Sequence, residues 1–145
     1  VPERVGLFVD LGAGSGRMLT IFADAYEKGI GFDLSREMLA VARANLDRAG
    51  VSHAQVRHGD LFALPLESRV ADVVCIHQVM HYLAAPAAAV AEAARLLKPG
   101  GKLLLSDFAP HELEFLREDH AHRRLGFTDD EVAGWCEAAG LNVVK

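Results

Sequence analysis

The stretch Val9-Asp10-Leu11-Gly12-Ala13-Gly14-Ser15-Gly16 constrains this chain more than any other. A short apolar run, residues 5–9, ends in the acid Asp10. Three alternating glycines follow, and residues 17–27 are compatible with a helix. Strand, glycine turn and helix in that order build a site for a nucleotide-like ligand at the carboxyl end of the strand. Glycine is required because a side chain would block the ligand's approach or forbid a positive φ. The spacing differs from the dinucleotide pattern G-x-G-x-x-G, because the third glycine comes one residue early and Arg17 stands where that pattern wants it. The loop therefore fits poorly with a pyrophosphate on the helix N-terminus, which argues against a nicotinamide dehydrogenase. The plain alternative is a tight strand-to-helix turn that binds nothing.

Two further segments repeat the theme. Ile30-Gly31-Phe32-Asp33 reads as a second strand ending in an acid. Asp33 lies about 20 residues beyond the first glycine, where nucleotide folds place a carboxylate on the ribose hydroxyls. A carboxylate suits a vicinal diol because it accepts two hydrogen bonds at once. Asp33 also reads as a helix N-terminal residue, but Ser35 is the better N-cap and leaves Asp33 free. Gln55-Val56-Arg57-His58-Gly59-Asp60-Leu61 reads as a third strand closing on Gly-Asp. Taken alone, Asp60 is an ordinary turn acid. Three acids at three successive strand ends favour a nucleoside site.

With these residues the chain resembles the class I S-adenosylmethionine-dependent methyltransferases, whose first motif is D-x-G-x-G-x-G after a first strand. The resemblance implies S-adenosylmethionine as methyl donor and S-adenosylhomocysteine as product. Asp10, Gly12, Gly14 and Gly16 then contact the amino-acid and ribose portions, with Asp10 ordering the loop and helping to place the ammonium group. Asp33 becomes the ribose ligand and Leu34 the residue touching adenine. Asp60 accepts from the adenine amino group, and the backbone N–H of Leu61 meets a ring nitrogen. The run Leu96-Leu97-Lys98-Pro99-Gly100-Gly101-Lys102-Leu103 is typical of the same class.

The resemblance also implies that the fourth strand ends facing the activated methyl. That end reads Cys75-Ile76-His77-Gln78, followed by Val79-Met80-His81-Tyr82-Leu83. His77, Gln78, His81 and Tyr82 are the polar groups placed to meet a substrate. His77 and His81 are the candidate bases, since histidine accepts a proton near neutral pH, and His77 is also counted among the residues that bind the methyl donor. A structural hydrogen bond to a loop carbonyl accounts for His81 equally well. Metal binding by this pair needs a helix and a third ligand, and the sequence offers no third. The Asn/Asp-Pro-Pro-aromatic motif of many amide and base N-methyltransferases is absent, and the fourth strand looks more like that of small-molecule C- or O-methyltransferases. The expected partner is a small-molecule acceptor, with no nucleic acid bound through this domain and no membrane.

Residues 106–127 carry a narrower resemblance, to the methyltransferase-like half of bacterial regulators that begin with an arsenic-repressor-type winged helix. No winged helix is present in the 145 residues. The alternative function this implies is a domain that senses S-adenosylmethionine or S-adenosylhomocysteine for an attached or lost DNA-binding domain of a transcriptional regulator. His111, His120, His122, Asp119 and Arg123 fit the substrate side of a pocket, though a solvated charged helix is the better reading of such a run.

The remaining sequence frames these motifs. Strands are expected at 5–11, 29–33, 54–58, 70–77, 102–107 and 141–144, and helices at 17–27, 35–49, 87–97 and 128–139. The second helix should bury Leu39, Val41, Ala42 and Leu46 and end at Gly50. The fourth should use Thr128 as N-cap and stop before Gly140. Alternating β and α elements imply an α/β, doubly wound, mostly parallel Rossmann-like sheet with helices on both faces. One domain, 1–145, is expected. It reads as a fragment lacking the family's last antiparallel strand and its N-terminal cap helices. A net charge of −5 gives no basic patch for a phosphate backbone. Two distant cysteines, no apolar leader and no membrane-length apolar run suggest a reducing cytoplasm.

Overall fold

The computed structural model describes residues 4–77, 85–106 and 129–141. Its elements run β1 (Val5–Leu11), α1 (Arg17–Ile21), a 3₁₀ turn (Ala23–Ala25), β2 (Tyr26–Asp33), α2 (Arg36–Arg48), β3 (Ala54–His58), β4 (Ala71–His77), α3 (Pro86–Leu96), β5 (Leu97–Ser106) and α4 (Asp129–Ala138). The five strands form one sheet in the order β3-β2-β1-β4-β5. Every pairing is parallel. The chain winds outward from β1 to β3, then returns past β1 to start β4. Residues at the carboxyl ends of β1 and β4 therefore flank the switch point where α/β sheets bind ligands.

Both faces of the sheet are covered. Val9 and Leu11 of β1 join Ile30, Phe32, Val74 and Ile76 in a core closed by Ala89, Val90, Ala93 and Leu96 of α3 and by Cys136 of α4. Phe8 and Cys75 point the other way, into a core with Leu19 of α1 and Leu39, Ala42 and Leu46 of α2. The period-2 alternation of β1 thus feeds two cores, as expected of a strand buried on both sides. Among the described residues no helix is long and apolar enough to cross a membrane.

The structure departs from the sequence expectations in four places. The first helix ends at Ile21, and β2 begins at Tyr26 instead of residue 29. Aromatic packing explains the early break. Phe8 lies 5.8 Å from the Phe22 ring and stacks on the Tyr26 ring at 5.2 Å. The Tyr26 hydroxyl donates to Leu19 O at 2.6 Å, closing the helix end. Tertiary burial of three aromatics outweighs the weak helical preference of residues 22–27. Val41 is 43% exposed, so the buried stripe of α2 is Leu39, Ala42 and Leu46. Helix α3 starts one residue early, with Pro86 in its first turn, and runs directly into β5. Leu97 already pairs with Ala71, and the register shifts before Val73 meets Lys102. The Lys-Pro-Gly-Gly turn is therefore a looped insertion in a strand that begins earlier than residue 102. The expected strand at 141–144 and the N-cap Thr128 lie outside the described residues, apart from Leu141.

Candidate functional site

The glycine turn is held by β2. Gly12 N and Ala13 N both donate to Phe32 O, at 2.8 and 2.9 Å, and Gly14 N donates to Asp33 Oδ2 at 2.8 Å. The turn also leans on α2, where Asn45 Nδ2 donates to Ser15 O at 2.9 Å. Gly12, Gly14 and Gly16 all have positive φ, at 78°, 53° and 80°. Gly16 is the most constrained. It is the N-cap of α1 in the left-handed region, and a Cβ there would lie 3.3 Å from the Ala42 Cβ. Both the backbone angle and the contact with α2 disfavour a larger residue.

The three acids sit on adjacent strands. Asp33 is half-buried at the tip of β2, and its Oδ1 accepts from Ser35 N at 2.9 Å while Oδ2 takes Gly14 N. Ser35 is the N-cap of α2 as expected, its hydroxyl accepting from Met38 N at 3.2 Å. Asp33 is nevertheless not free, which corrects the sequence expectation. Each oxygen keeps one acceptor site beyond its backbone bond. The tip of β3 is joined to the same point, because Gly59 N donates to Asp33 O at 3.2 Å. Asp60, just beyond, is exposed, and its Oδ1 accepts from Phe62 N at 2.9 Å. Leu61 turns its side chain into the core. Leu34 and Phe62 are both exposed, Leu34 at 56%, so apolar surface lies beside the two acids.

Asp10 is different in kind. It is 2% exposed, and among the described residues no hydrogen bond reaches its carboxyl. Burial first, and then the charge of Asp33, push its pKa up from 3.8 to about 7. Its influence extends to two neighbours that burial already affects: the Tyr26 hydroxyl and the Cys75 thiol are each pushed up to about 12. The loop-ordering role that resemblance gives Asp10 falls to Asp33, which takes the Gly14 amide. What remains for Asp10 is a buried carboxylate at the switch point with no partner among the described residues, a group that a cation would satisfy.

At the end of β4, His77 is half-buried and pairs with Ser106 of β5. Asp10 and Cys75 are register partners, so His77 lies two residues past the level of Asp10. His81, Gln78 and Tyr82 lie outside the described residues, as do His111, Asp119, His120, His122 and Arg123. The structure thus brings Asp10, Gly12, Gly14, Gly16, Asp33, Leu34, Asp60 and Leu61 to the tips of three neighbouring strands, with His77 on the fourth.

One feature escaped the sequence reading. Glu92 and Arg95 of α3 form an ion pair, with Arg95 Nε 2.5 Å from Glu92 Oε1, beside the turn that follows Asp60. The pairing with Arg95 holds the Glu92 carboxyl below its usual range and raises Arg95. The i,i+3 spacing of opposite charges on a helix was the available signal, but it reads as a surface pair until the turn is placed against it. Two cavities adjoin Arg95: one of about 450 Å³, lined by Ser68, Ala91, Ala94 and Ala139, lies away from the acid tips, and one of about 380 Å³ reaches Phe62 and Ala63 in the turn that follows Asp60.

Comparison with known proteins identifies the family and the fold. An arsenite methyltransferase from Aquipseudomonas alcaligenes is 36% identical over 154 residues, covering 86% of this chain and 44% of that protein. An uncharacterized methyltransferase, YcgJ of Bacillus subtilis, is 31% identical over 105 residues, covering 72% of this chain and 42% of the relative. The crystal structure of YcgJ superposes with a TM-score of 0.84 at 27% identity, over 94% of this chain and 62% of that one. The chain therefore spans less than half the length of these curated relatives. A family profile described as a methyltransferase domain matches residues 9–105, from the first glycine motif through β5. The chain belongs to the methyltransferase domain family.

Proposed function

We propose that this chain binds S-adenosylmethionine across the tips of β1, β2 and β3 and serves its transfer of a methyl group to a small-molecule acceptor at the tip of β4. The observation that carries the reading is Asp10, a buried carboxylate without a hydrogen bond among the described residues, standing beside a glycine turn and two further acid-tipped strands. That donor set fits the ligand: a carboxylate for an ammonium, a carboxylate with free acceptor sites for a diol, and an exposed Leu34 for a purine face.

The bound sulfonium would supply an electrophilic methyl group, displaced in line by the acceptor. The protein's own contribution is positioning and exclusion of water. Asp10 takes the ammonium and becomes fully ionised as it does so. Asp33 accepts from the ribose hydroxyls on the lone pairs left by Gly14 N and Ser35 N. Gly12, Gly14 and Gly16 let the backbone approach without a Cβ. Leu34 covers one face of the adenine, Asp60 accepts from its amino group, and the Leu61 N–H meets a ring nitrogen. In this reading His77, at the end of β4, takes a proton from an oxygen or carbon acid as it becomes a nucleophile, a role the sequence also offers to His81. No covalent enzyme intermediate is required.

The acceptor is an oxygen or carbon nucleophile in this reading. Arsenite, the acceptor in the name of the Aquipseudomonas relative, is a soft centre that thiolates hold best. The chain's two cysteines are both buried, in cores on opposite faces of the sheet, and burial raises both thiols. They offer no thiolate pair. The second reading, a ligand-sensing half of a transcriptional regulator in the cytoplasm, gains no particular support from the site or from the relatives cited. Calorimetric titration with S-adenosylhomocysteine and with NAD tests the proposal. Binding of the sulfur compound without NAD binding is expected, and tight NAD binding with no response to the sulfur compound defeats it.

A further inference from the structure

Residues 59–70 carry the chain from the tip of β3 back to the start of β4 without helix or strand of their own. A single ion pair on α3 holds them. Glu92 is 8% exposed, and its Oε2 accepts from Leu64 N at 2.5 Å. All five Arg95 donors are placed. Nε and one Nη2 hydrogen go to the Glu92 carboxylate, and the other Nη2 hydrogen goes to Leu64 O at 3.2 Å. The two on Nη1 go to Leu66 O at 3.0 Å and Ser68 Oγ at 3.1 Å. Backbone bonds extend the clasp, with Arg69 N and Val70 N donating to Arg95 O and Leu96 O at 2.9 Å each. A guanidinium with every donor engaged has none left for an external anion.

The clasped turn is the one that carries Asp60. Asp60 O accepts from Ala63 N at 3.2 Å and Asp60 Oδ1 from Phe62 N, so the acid and Leu64 belong to one short turn. Leu61 and Leu64 share a core with Ala89, Val90 and Ala93 of α3. The Glu92 carboxylate is buried while the Arg95 side chain is 34% exposed, so the pair is weak evidence for added stability, and the better-attested use of such a pair is to select one arrangement over others. Here the arrangement selected is that of a turn whose two ends are held by backbone bonds and whose middle, around Leu64 and Leu66, is bonded to α3 through this pair. Reading a purine edge requires an acceptor and an N–H held within a few tenths of an ångström of fixed positions.

We infer that Glu92 and Arg95 are positioning residues for base recognition: they lock the turn after β3 so that the Asp60 carboxylate and the Leu61 N–H meet the amino group and ring nitrogen of adenine. The inference rests on the reading of Asp60 and Leu61 proposed above. It makes α3, a helix on the far side of the turn from β3, a determinant of which base is accepted. Lysine cannot replace Arg95, because a point charge lacks the fork that reaches Glu92, two carbonyls and a hydroxyl together.

The test compares three ligands by calorimetry on the full chain: S-adenosylhomocysteine, its inosine counterpart with oxygen in place of the amino group, and its 2′-deoxy counterpart. The parent is expected to prefer the amino compound over the oxo compound by roughly tenfold. Arg95→Lys should lower that ratio to roughly threefold or less, as a displaced Asp60 loses part of its contact. Ser68→Ala, at an exposed hydroxyl whose loss leaves the core intact, should lower it in the same direction by less, and it serves as the reading if Arg95→Lys does not fold. The hydroxyl-to-deoxy ratio should stay unchanged in both, because Asp33 is held by Gly14 N and Ser35 N. A parent that prefers the amino compound together with variants that keep the same ratio overturns this inference alone. So does a parallel fall of both ratios, which signals general loosening. A parent that binds the amino and oxo compounds equally overturns the Asp60 reading and this inference with it.

Discussion

Asp10→Asn should make the protein more stable above neutral pH, although it removes a charged residue at the heart of the proposed site. The Asp10 carboxyl holds its proton up to about pH 7, against 3.8 when unburied, because desolvation and the neighbouring Asp33 charge oppose ionisation. Below about pH 4 the folded and unfolded chains both carry the proton, and the stability from this group is complete. Between about pH 4 and 7 the unfolded chain releases it and the folded chain does not, so stability falls as pH rises. Above about pH 7 the folded chain holds a buried carboxylate with no partner among the described residues, at a penalty of at most about 4 kcal/mol. Asparagine stays neutral throughout and escapes that penalty. Urea unfolding of both chains from pH 4 to 8 gives the difference directly, since every other titrating group is common to them. The difference should grow with pH and level off near pH 7.5. Parallel curves, or a variant less stable at pH 8, would refute the claim that Asp10 is buried without a counter-charge. With saturating S-adenosylhomocysteine the parent should recover its loss, because the ammonium supplies that counter-charge.

Three further outcomes follow from the geometry. Gly16→Ala should destabilise the fold by about 1–2 kcal/mol, from a left-handed φ and a close approach to Ala42, measured by urea unfolding. Asp33→Ala should weaken S-adenosylhomocysteine by about 1–3 kcal/mol through the lost diol contact, and an unchanged dissociation constant removes that role from Asp33. Leu34→Ser, at a side chain 56% exposed, should leave the unfolding midpoint unchanged within error while weakening the ligand by about 1 kcal/mol of lost apolar contact; equal affinity would place the adenine elsewhere.

The features that were legible from sequence are those written in local patterns. A glycine turn after an apolar run, an acid at each strand end and a serine before α2 are short-range signals, and the parallel sheet follows from their alternation with helices. What was not legible depends on residues distant in sequence. Helix α1 stops at Ile21 because Phe8, Phe22 and Tyr26 pack together, and no pattern within 17–27 records that. Asp33 is engaged because the turn folds back onto it from 19 residues earlier. Val41 looked like part of the apolar stripe by composition, yet it stands on the far side of α2 from Leu39 and Ala42. The Glu92–Arg95 clasp spans about thirty residues to reach its turn, so sequence spacing showed only an ordinary helical ion pair.

A crystal structure of this chain with S-adenosylhomocysteine would be the most direct test of three acid-tipped strands gripping one nucleoside. The ammonium should lie at Asp10, the ribose hydroxyls on Asp33, and the adenine beside Leu34 with its amino group toward Asp60. Ligand density in the cavity between Ser68 and Ala94, or a ribose with no contact to Asp33, would contradict it.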